Sequence, residues 1–229
     1  MITYAHNFNT DDNSSFLTLI NMLIIENRLL NDSIPINNNP SYMEHIENTE
    51  NILEDILISE DSFTVNSDQF YNNTVIALVV ANLADEVLRN YGHAFGVPSN
   101  IMLSMNFSKI INSQNKSDDT ANRNIKNNHT MHQANSSAAA AAASAPMIDK
   151  PSYISTIKLS DRILELYSNE LNGTSSEYTY INKAKSDLGS AVYELKKAGE
   201  SKESPYKIME IVHGKVHPNL QLAFNLTLK

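Results

Sequence analysis

A dense run of apolar positions extends from Val75 to Leu83, where eight of nine residues are apolar. A helix on a protein surface needs only one apolar stripe, so this continuity predicts a helix that is buried on most sides. Polar residues follow the run, and Gly92 and Gly96 provide positions at which a helix can end. We therefore predict a central helix over residues 72–96.

Two amphipathic patterns precede the central helix. The first predicts a helix over residues 14–30, and the second predicts a helix over residues 40–57 that begins with the cap-and-proline pair Asn39 and Pro40. The expected buried face of the first helix consists of Phe16, Ile20, Leu23 and Leu30. The expected face of the second consists of Ile46, Leu53, Ile56 and Leu57, with His45 at its edge.

Three further helices are predicted in the C-terminal part of the chain. The fourth helix covers residues 152–171, and the fifth begins at a capping box formed by Thr174 and Glu177. The sixth begins at Ser204 and Pro205, and a short last helix follows from residue 218. The expected buried face of the fourth helix consists of Ile154, Ile157, Leu164, Tyr167 and Leu171. That of the fifth consists of Ile181, Ala184, Leu188, Val192 and Leu195.

Together these patterns predict an all-α bundle of about six helices in two three-helix groups. Only 6 Gly and 7 Pro occur in 229 residues, which disfavours a turn-rich β fold. The N-terminal region covers residues 1–97 and the C-terminal region covers residues 151–229. Residues 98–150 between them are rich in Asn, Ser and Ala and read as a linker, because they contain few large apolar side chains. We expect the two groups to pack on each other, since each is small for an independent domain.

The charge and composition exclude several classes of function. A net charge of −9 without a cluster of basic residues argues against nucleic acid as a partner. No segment approaches the roughly 20 apolar residues of a membrane-spanning helix. The absence of Cys excludes disulfides, thiolate nucleophiles and zinc-thiolate sites. Phosphate-binding and nucleophile-elbow motifs are also absent, so we expect no enzymatic activity.

The strongest candidate for a site is a metal-binding group at Glu210, His213 and His217. Glu-x-x-His and His-x-x-x-His both place ligands on one face of a helix, and such ligands hold iron, zinc or copper. The alternative is a structural role, because Gly214 can end the helix and His217 can cap the next one ahead of Pro218.

The central helix supplies the next candidates. Glu86 and His93 share a face with Asn90, and this face could meet the sixth helix to complete a site with the two C-terminal histidines. The alternative is an ordinary polar helix end, with Glu86 paired to Arg89 and His93 exposed. His45 is a further candidate ligand, although a lone histidine beside an apolar face is more often a satisfied residue at the edge of the core.

Copper is the metal that the sequence favours. Residues of the linker carry imidazole and thioether groups, which suit copper and particularly Cu(I). These residues are Met102, Met105, His129, Met131 and His132. A leader cut after Ala5 would also leave His6 as a terminal copper chelator.

N-glycosylation sequons bear on the compartment. The chain has nine, where its composition predicts roughly five, which favours an extracellular or cell-surface location over the cytoplasmic alternative. They begin at Asn13, Asn31, Asn72, Asn106, Asn115, Asn128, Asn135, Asn172 and Asn225.

Two stretches carry a resemblance to known sequences. ANLADEVLRNYGHAFG, residues 81–96, and IVHGKVHPNL, residues 211–220, resemble uncharacterised helical proteins of ammonia-oxidising archaea that are predicted to be exported. The resemblance covers most of the chain and implies a location outside the cytoplasmic membrane, in organisms that use copper heavily.

The sequence therefore predicts a non-enzymatic, extracytoplasmic helical protein that binds or scaffolds, with copper or another transition metal as a cofactor. A purely structural module that docks on a protein partner in the cell envelope is the alternative. A metalloenzyme built on the Glu/His site is a third possibility.

Overall fold

The computed structural model describes residues 12–33, 40–60, 72–104, 146–173 and 176–228, and within these ranges it contains helices and no β-strand. The predicted all-α class is confirmed. The helices are α1 (Asp12–Ser33), α2 (Pro40–Glu60), α3 (Asn73–Ala94), α4 (Ser99–Met102), α5 (Lys150–Leu166), α6 (Thr179–Glu200), α7 (Pro205–Ile211) and α8 (His217–Phe224). A first π segment (Tyr167–Leu171) continues α5, and a second π segment (Val212–Val216) joins α7 to α8.

Helix α3 is the centre of the fold, as its apolar run predicts. The side chain of Asn72 caps it by accepting a hydrogen bond of 2.7 Å from Thr74 N. Most of its residues are buried, and Ala77, Val79 and Leu83 are completely so. It contacts α1, α5, α7 and α8, so the N-terminal and C-terminal helices pack around it as one bundle.

The buried faces of α1 and α2 differ from the predicted ones. In α1 the predicted Phe16, Ile20, Leu23 and Leu30 are only half-buried. The buried residues are instead Ser14, Leu17, Thr18, Leu19, Asn21, Met22, Ile25, Glu26 and Leu29. In α2, Leu53 is exposed, Ile46 and Ile56 are half-buried, and the buried positions are His45, Asn48 and Ile52. The physical reason is that polar side chains turn inward where hydrogen bonds satisfy them, as when Asn82 donates to Thr18 Oγ1 at 3.2 Å.

Helix α5 presents small polar residues to the core. The predicted Ile154, Ile157 and Leu164 are half-buried, while Tyr167 and Leu171 are buried as predicted. The buried positions of α5 include Ser152, Ser155, Thr156 and Ser160. Two of these hydroxyls are satisfied within the helix, since Thr156 donates to Ser152 O and Ser160 donates to Thr156 O, both at 2.9 Å. Small side chains let α5 lie close to α3, with which it makes its most extensive contact.

Helix α6 starts later than predicted, and Thr174 of the predicted capping box lies outside the described residues. The helix begins at Thr179, two residues beyond Glu177, and Tyr178 at the cap position makes no side-chain cap bond. The turn before it is closed by Asn182, whose amide donates to Ser176 O at 2.7 Å and whose Oδ1 accepts from Ser176 N at 2.8 Å. The predicted buried face of α6 is largely confirmed, because Ala184, Leu188, Val192 and Leu195 are buried.

The last helices confirm one predicted boundary and correct another. Ser204 caps α7 by accepting from Lys207 N at 3.2 Å, with Pro205 at the first helical position. Gly214, however, does not end this helix. The chain continues through the second π segment into α8, and His217 is a helical residue rather than a cap.

The first residues of the predicted linker belong to the helical bundle. Residues 98–104 form the turn of α4, and Met102 is completely buried in the core. Gly92 makes this possible, because a Cβ at that position would lie 2.5 Å from Met102 Cγ and 2.7 Å from Val97 O. The remaining candidates of the linker, Met105, His129, Met131 and His132, lie outside the described residues, as does His6. No helix in the described part of the chain is long and apolar enough to cross a membrane, as predicted.

A buried histidine and carboxylate cluster

Two of the predicted ligands meet where the second π segment faces α3. The ring centroids of His213 and His217 lie 5.4 Å apart, edge to face. His213 is 8% exposed and His217 is 5% exposed. Asp85 of α3 completes the group, with its Oδ1 at 3.5 Å from His217 Nε2. We call Asp85, His213 and His217 the histidine cluster.

Each ring of the histidine cluster is fixed by a backbone carbonyl. His213 Nε2 donates to Met102 O at 3.1 Å, because a carbonyl oxygen can only accept. His217 makes a hydrogen bond to the backbone of Ala81. The donor is Nδ1, because Nε2 has no hydrogen-bond partner. The second ring nitrogens, His213 Nδ1 and His217 Nε2, are buried and without a hydrogen-bond partner. Such buried, unsatisfied polar atoms are rare in folded proteins and call for an explanation.

Burial controls the charges of the histidine cluster. It raises the pKa of Asp85 from 3.8 to about 6, an effect that the nearby Arg89 and His213 partly oppose. Burial, together with the neighbouring His213, lowers the pKa of His217 from 6.5 to about 4, which the Ala81 bond partly opposes. Asp85 therefore becomes charged only at a pH where His217 is already neutral. The two side chains form no ion pair, although they are close.

The other predicted ligands on α3 have partners elsewhere. Glu86 is buried and pairs with Arg89, and burial raises its pKa. His93 is largely exposed, and its Nδ1 lies 2.6 Å from Asp149 Oδ2 and 3.0 Å from Ser152 Oγ. Asp149 is the N-cap of α5. The pairing of Glu86 with Arg89 and the exposure of His93 agree with the alternative interpretation, but Glu86 lies inside the bundle and not at a solvated helix end.

His45 and Glu210 are also separate from the histidine cluster. His45 Nδ1 lies 2.8 Å from Glu26 Oε2, and this pair is buried between α1 and α2. Glu210 is partly exposed and accepts from Lys207 Nζ at 3.2 Å. Within the described ranges, no group of three or more His, Asp or Glu side chains has spacing that could hold a metal ion.

Asp85 is the member of the histidine cluster that sequence reasoning missed. The i, i+4, i+7 pattern of Glu86, Asn90 and His93 selects one face of α3, whereas Asp85 lies on the neighbouring face with Ala81. The available signal was the spacing of Ala81 and Asp85, because a small residue one turn from a carboxylate leaves room for an imidazole ring.

A separate open groove lies between the first π segment and α6. Its volume is about 600 Å³. Its walls include Tyr167, Asn172, Lys185, Ser186 and Tyr193. No member of the histidine cluster lines this groove.

Comparison with protein-family profiles, with curated proteins and with solved structures finds no match to this chain.

Proposed function

We propose that this chain is a helical binding protein whose histidine cluster takes up a transition metal ion. The observation that carries the proposal is the pair of buried imidazole nitrogens, His213 Nδ1 and His217 Nε2, that have no hydrogen-bond partner. A bound metal ion would accept both lone pairs. Of the ligands predicted from the sequence, the proposal keeps His213 and His217 and adds Asp85.

The surroundings of the two rings support ligation. Metal-binding histidines donate their other N–H to a carbonyl or carboxylate, which fixes the tautomer and the orientation of the ring. Met102 O and Ala81 O serve this purpose for His213 and His217. Two imidazoles on one tetrahedral ion have centroids roughly 5 Å apart, given bonds of about 2 Å. The observed 5.4 Å is close to that value.

The carboxylate of Asp85 is placed to provide a third ligand to the ion. Neighbouring ligand atoms of a tetrahedral ion lie roughly 3.3 Å apart, and Asp85 Oδ1 is 3.5 Å from His217 Nε2. Since the three side chains are not at metal-binding spacing in the structure, we expect His213 or Asp85 to rotate when the ion binds.

The ligand set indicates the class of metal. Two nitrogens and one carboxylate oxygen suit Cu(II), Zn(II) or Ni(II), whereas Cu(I) prefers thiolate and thioether sulfur. We therefore expect divalent copper to bind most tightly, followed by zinc and nickel, and Cu(I) to bind less well.

Calorimetric titration of the purified full chain tests this function. We expect the wild type to bind Cu(II) with a dissociation constant of about 1 μM or lower. His213→Asn and His217→Asn should each weaken binding at least about tenfold, because each removes a ligand. Circular dichroism at the same temperature verifies that each variant is folded.

His93→Ala is the matched control. His93 is exposed and belongs to a different contact, so this variant should bind as the wild type does. Absence of binding by the wild type refutes metal uptake. Binding that survives in both cluster variants but is lost in His93→Ala places the ion elsewhere.

A binding role is better supported than catalysis. A substrate needs a concave pocket beside the reacting groups, and the groove of 600 Å³ lies away from the histidine cluster. Turnover assays with the metal-loaded protein test this, since any metal-dependent hydrolysis or oxidation that His217→Asn abolishes would favour the metalloenzyme.

We further propose an extracytoplasmic location, supported by the nine sequons and by the resemblance to exported proteins. Asn31 and Asn172 are exposed, as an acceptor asparagine must be. Mass spectrometry of the protein from its native source should find glycan on one or both. Unmodified asparagine at every sequon would argue for the cytoplasmic alternative.

A protein partner in the envelope is supported by two exposed tyrosines at the start of α6. Tyr178 and Tyr180 are 60% and 55% exposed, with ring centroids 5.8 Å apart. Exposed aromatic side chains are enriched at interfaces. Recovery of one defined envelope protein with the wild type, and its loss with Tyr178→Ser/Tyr180→Ser, would identify that partner.

A further inference from the structure

A small buried cavity lies between α1, α3 and α5, on a different side of α3 from the histidine cluster. Its size is sufficient for about one water molecule. The lining residues are Met22, Ile25, Glu26, Asn90, Ser155 and Leu159. All six are more than nine-tenths buried, so the cavity is part of the interior.

Asn90 provides an unsatisfied polar atom beside this cavity. Its Nδ2 donates to Glu86 O at 3.0 Å, which fixes the orientation of the side-chain amide. Reversing the amide would place two oxygens against each other, so Oδ1 must point away from Glu86 O. Asn90 is 4% exposed, and its Oδ1 has no hydrogen-bond partner.

Two further polar groups line the same cavity. The carboxylate of Glu26 contacts His45 Nδ1 through Oε2 at 2.8 Å, and a carboxylate offers about four acceptor positions in all. Ser155 brings a hydroxyl that can donate or accept. An acceptor amide oxygen, a carboxylate and a hydroxyl therefore surround a space of the volume of one water.

We propose that this cavity is a binding site for a single ordered water molecule. The water donates one hydrogen bond to Asn90 Oδ1 and one to the carboxylate of Glu26, and it accepts one from the Ser155 hydroxyl. Three hydrogen bonds is the usual number for a buried water. The result is a continuous polar connection from His45 on α2, through Glu26 on α1, to Asn90 on α3.

The connection has a structural role. Helix α2 packs mainly on α1. The water links the buried pair that joins α1 to α2 with the central helix, in addition to the direct packing of α1 on α3 and α5.

Nuclear magnetic resonance of the full-length, methyl-labelled protein tests the proposal. We expect cross-relaxation between water and the methyl groups of Met22 and Leu159, with the sign of a long-lived bound water. The methyl groups of Leu188, which is completely buried on α6, are the control and should show none. Absence of the Met22 and Leu159 signals in the wild type overturns the proposal.

Two variants identify the groups that hold the water. Asn90→Leu removes the acceptor and fills part of the space, so both signals should disappear, and unchanged signals overturn the proposal. Ser155→Ala removes the only hydroxyl among the lining residues while leaving Glu26 and Asn90, so the signals should persist. Loss of the signals in Ser155→Ala would mean that exchange of the hydroxyl proton with solvent, and not a bound water, produces the wild-type signals. That result overturns the proposal. The wild-type and Ser155→Ala spectra decide the question even if Asn90→Leu does not fold.

Discussion

Replacing Asp85 by asparagine should make the protein more stable at neutral pH and leave its stability almost unchanged at pH 4. The side chain is mostly buried, and this burial raises its pKa to about 6 from the ordinary 3.8. Between these two values the folded protein holds a proton that the unfolded chain has released. The stability that Asp85 provides is therefore complete below about pH 4 and is lost as the pH rises to about 6.

The size of the effect follows from the pKa difference. Each unit corresponds to about 1.4 kcal/mol, so ionisation of Asp85 costs about 3 kcal/mol of folding free energy. Asparagine has the shape of the protonated acid and does not ionise. The Asp85→Asn protein should thus equal the wild type at pH 4 and exceed its free energy of unfolding by up to about 3 kcal/mol at pH 7.

His217 contributes with the opposite sign. Its pKa in the folded protein is about 4 instead of 6.5, so the unfolded chain binds the extra proton and stability rises with pH across this window. In the wild type the two effects nearly cancel between pH 4 and 6. In Asp85→Asn the effect of His217 is no longer opposed, and its stability should climb by about 3 kcal/mol from pH 4 to 6.5.

Urea unfolding followed by circular dichroism at pH 4, 5, 6 and 7, with a chelator present, measures both quantities. Asp187→Asn is the control, because Asp187 is partly exposed and pairs with Lys183 at the surface, so its replacement should change stability by less than about 0.5 kcal/mol at every pH. If the free energies of unfolding of wild type and Asp85→Asn differ by the same amount at pH 4 and at pH 7, burial does not disfavour the ionised form of Asp85.

Three further substitutions have defined outcomes, measured as free energies of unfolding. Gly92→Ala should cost about 1–3 kcal/mol, because the new methyl group collides with Met102 and with backbone. His45→Leu should cost about 3–5 kcal/mol, because it removes the imidazole that contacts the buried carboxylate of Glu26, and Glu26→Met in the same chain should recover most of the loss. Ser204→Ala should cost about 1 kcal/mol, because it removes the side-chain cap of α7.

Each of these three substitutions has a control variant or a result that would contradict the prediction. Gly214→Ala is the partner of Gly92→Ala, since a Cβ at Gly214 meets nothing within 4 Å, and it should not destabilise. A double variant as unstable as His45→Leu would show that packing, rather than the lost contact between His45 and the Glu26 carboxylate, accounts for the loss. Equal stability of Ser204→Ala and wild type would mean that Lys207 N is satisfied by water.

Sequence patterns were sufficient where apolar residues alone decide burial. The run from Val75 to Leu83 predicts α3, and the stripe of Leu188, Val192 and Leu195 predicts the buried face of α6. The same reasoning failed for part of α5, because Ser155 and Ser160 are buried while Ile154 and Ile157 are only half-buried. A hydropathy pattern cannot recognise a face on which small size matters more than apolar character.

The candidate site was only half predictable for a related reason. The spacing of His213 and His217 identifies two residues that can act together, and the structure places their rings side by side. Their neighbour Asp85 depends on which face of α3 the last helices cover. That choice is made by packing between distant segments, and no local pattern contains it.

The second π segment sets the angular phase of the chain that follows it. One turn of this segment contains one residue more than an α-helical turn, and one residue corresponds to about 100° of rotation. Everything from His217 onward is therefore turned by that angle relative to a continuous α-helix. A deletion of Gly214 would preserve every side chain of the histidine cluster and still turn His217 and Leu220 away from α3. The geometry of the histidine cluster therefore depends on the number of residues in the second π segment as well as on the identity of its side chains.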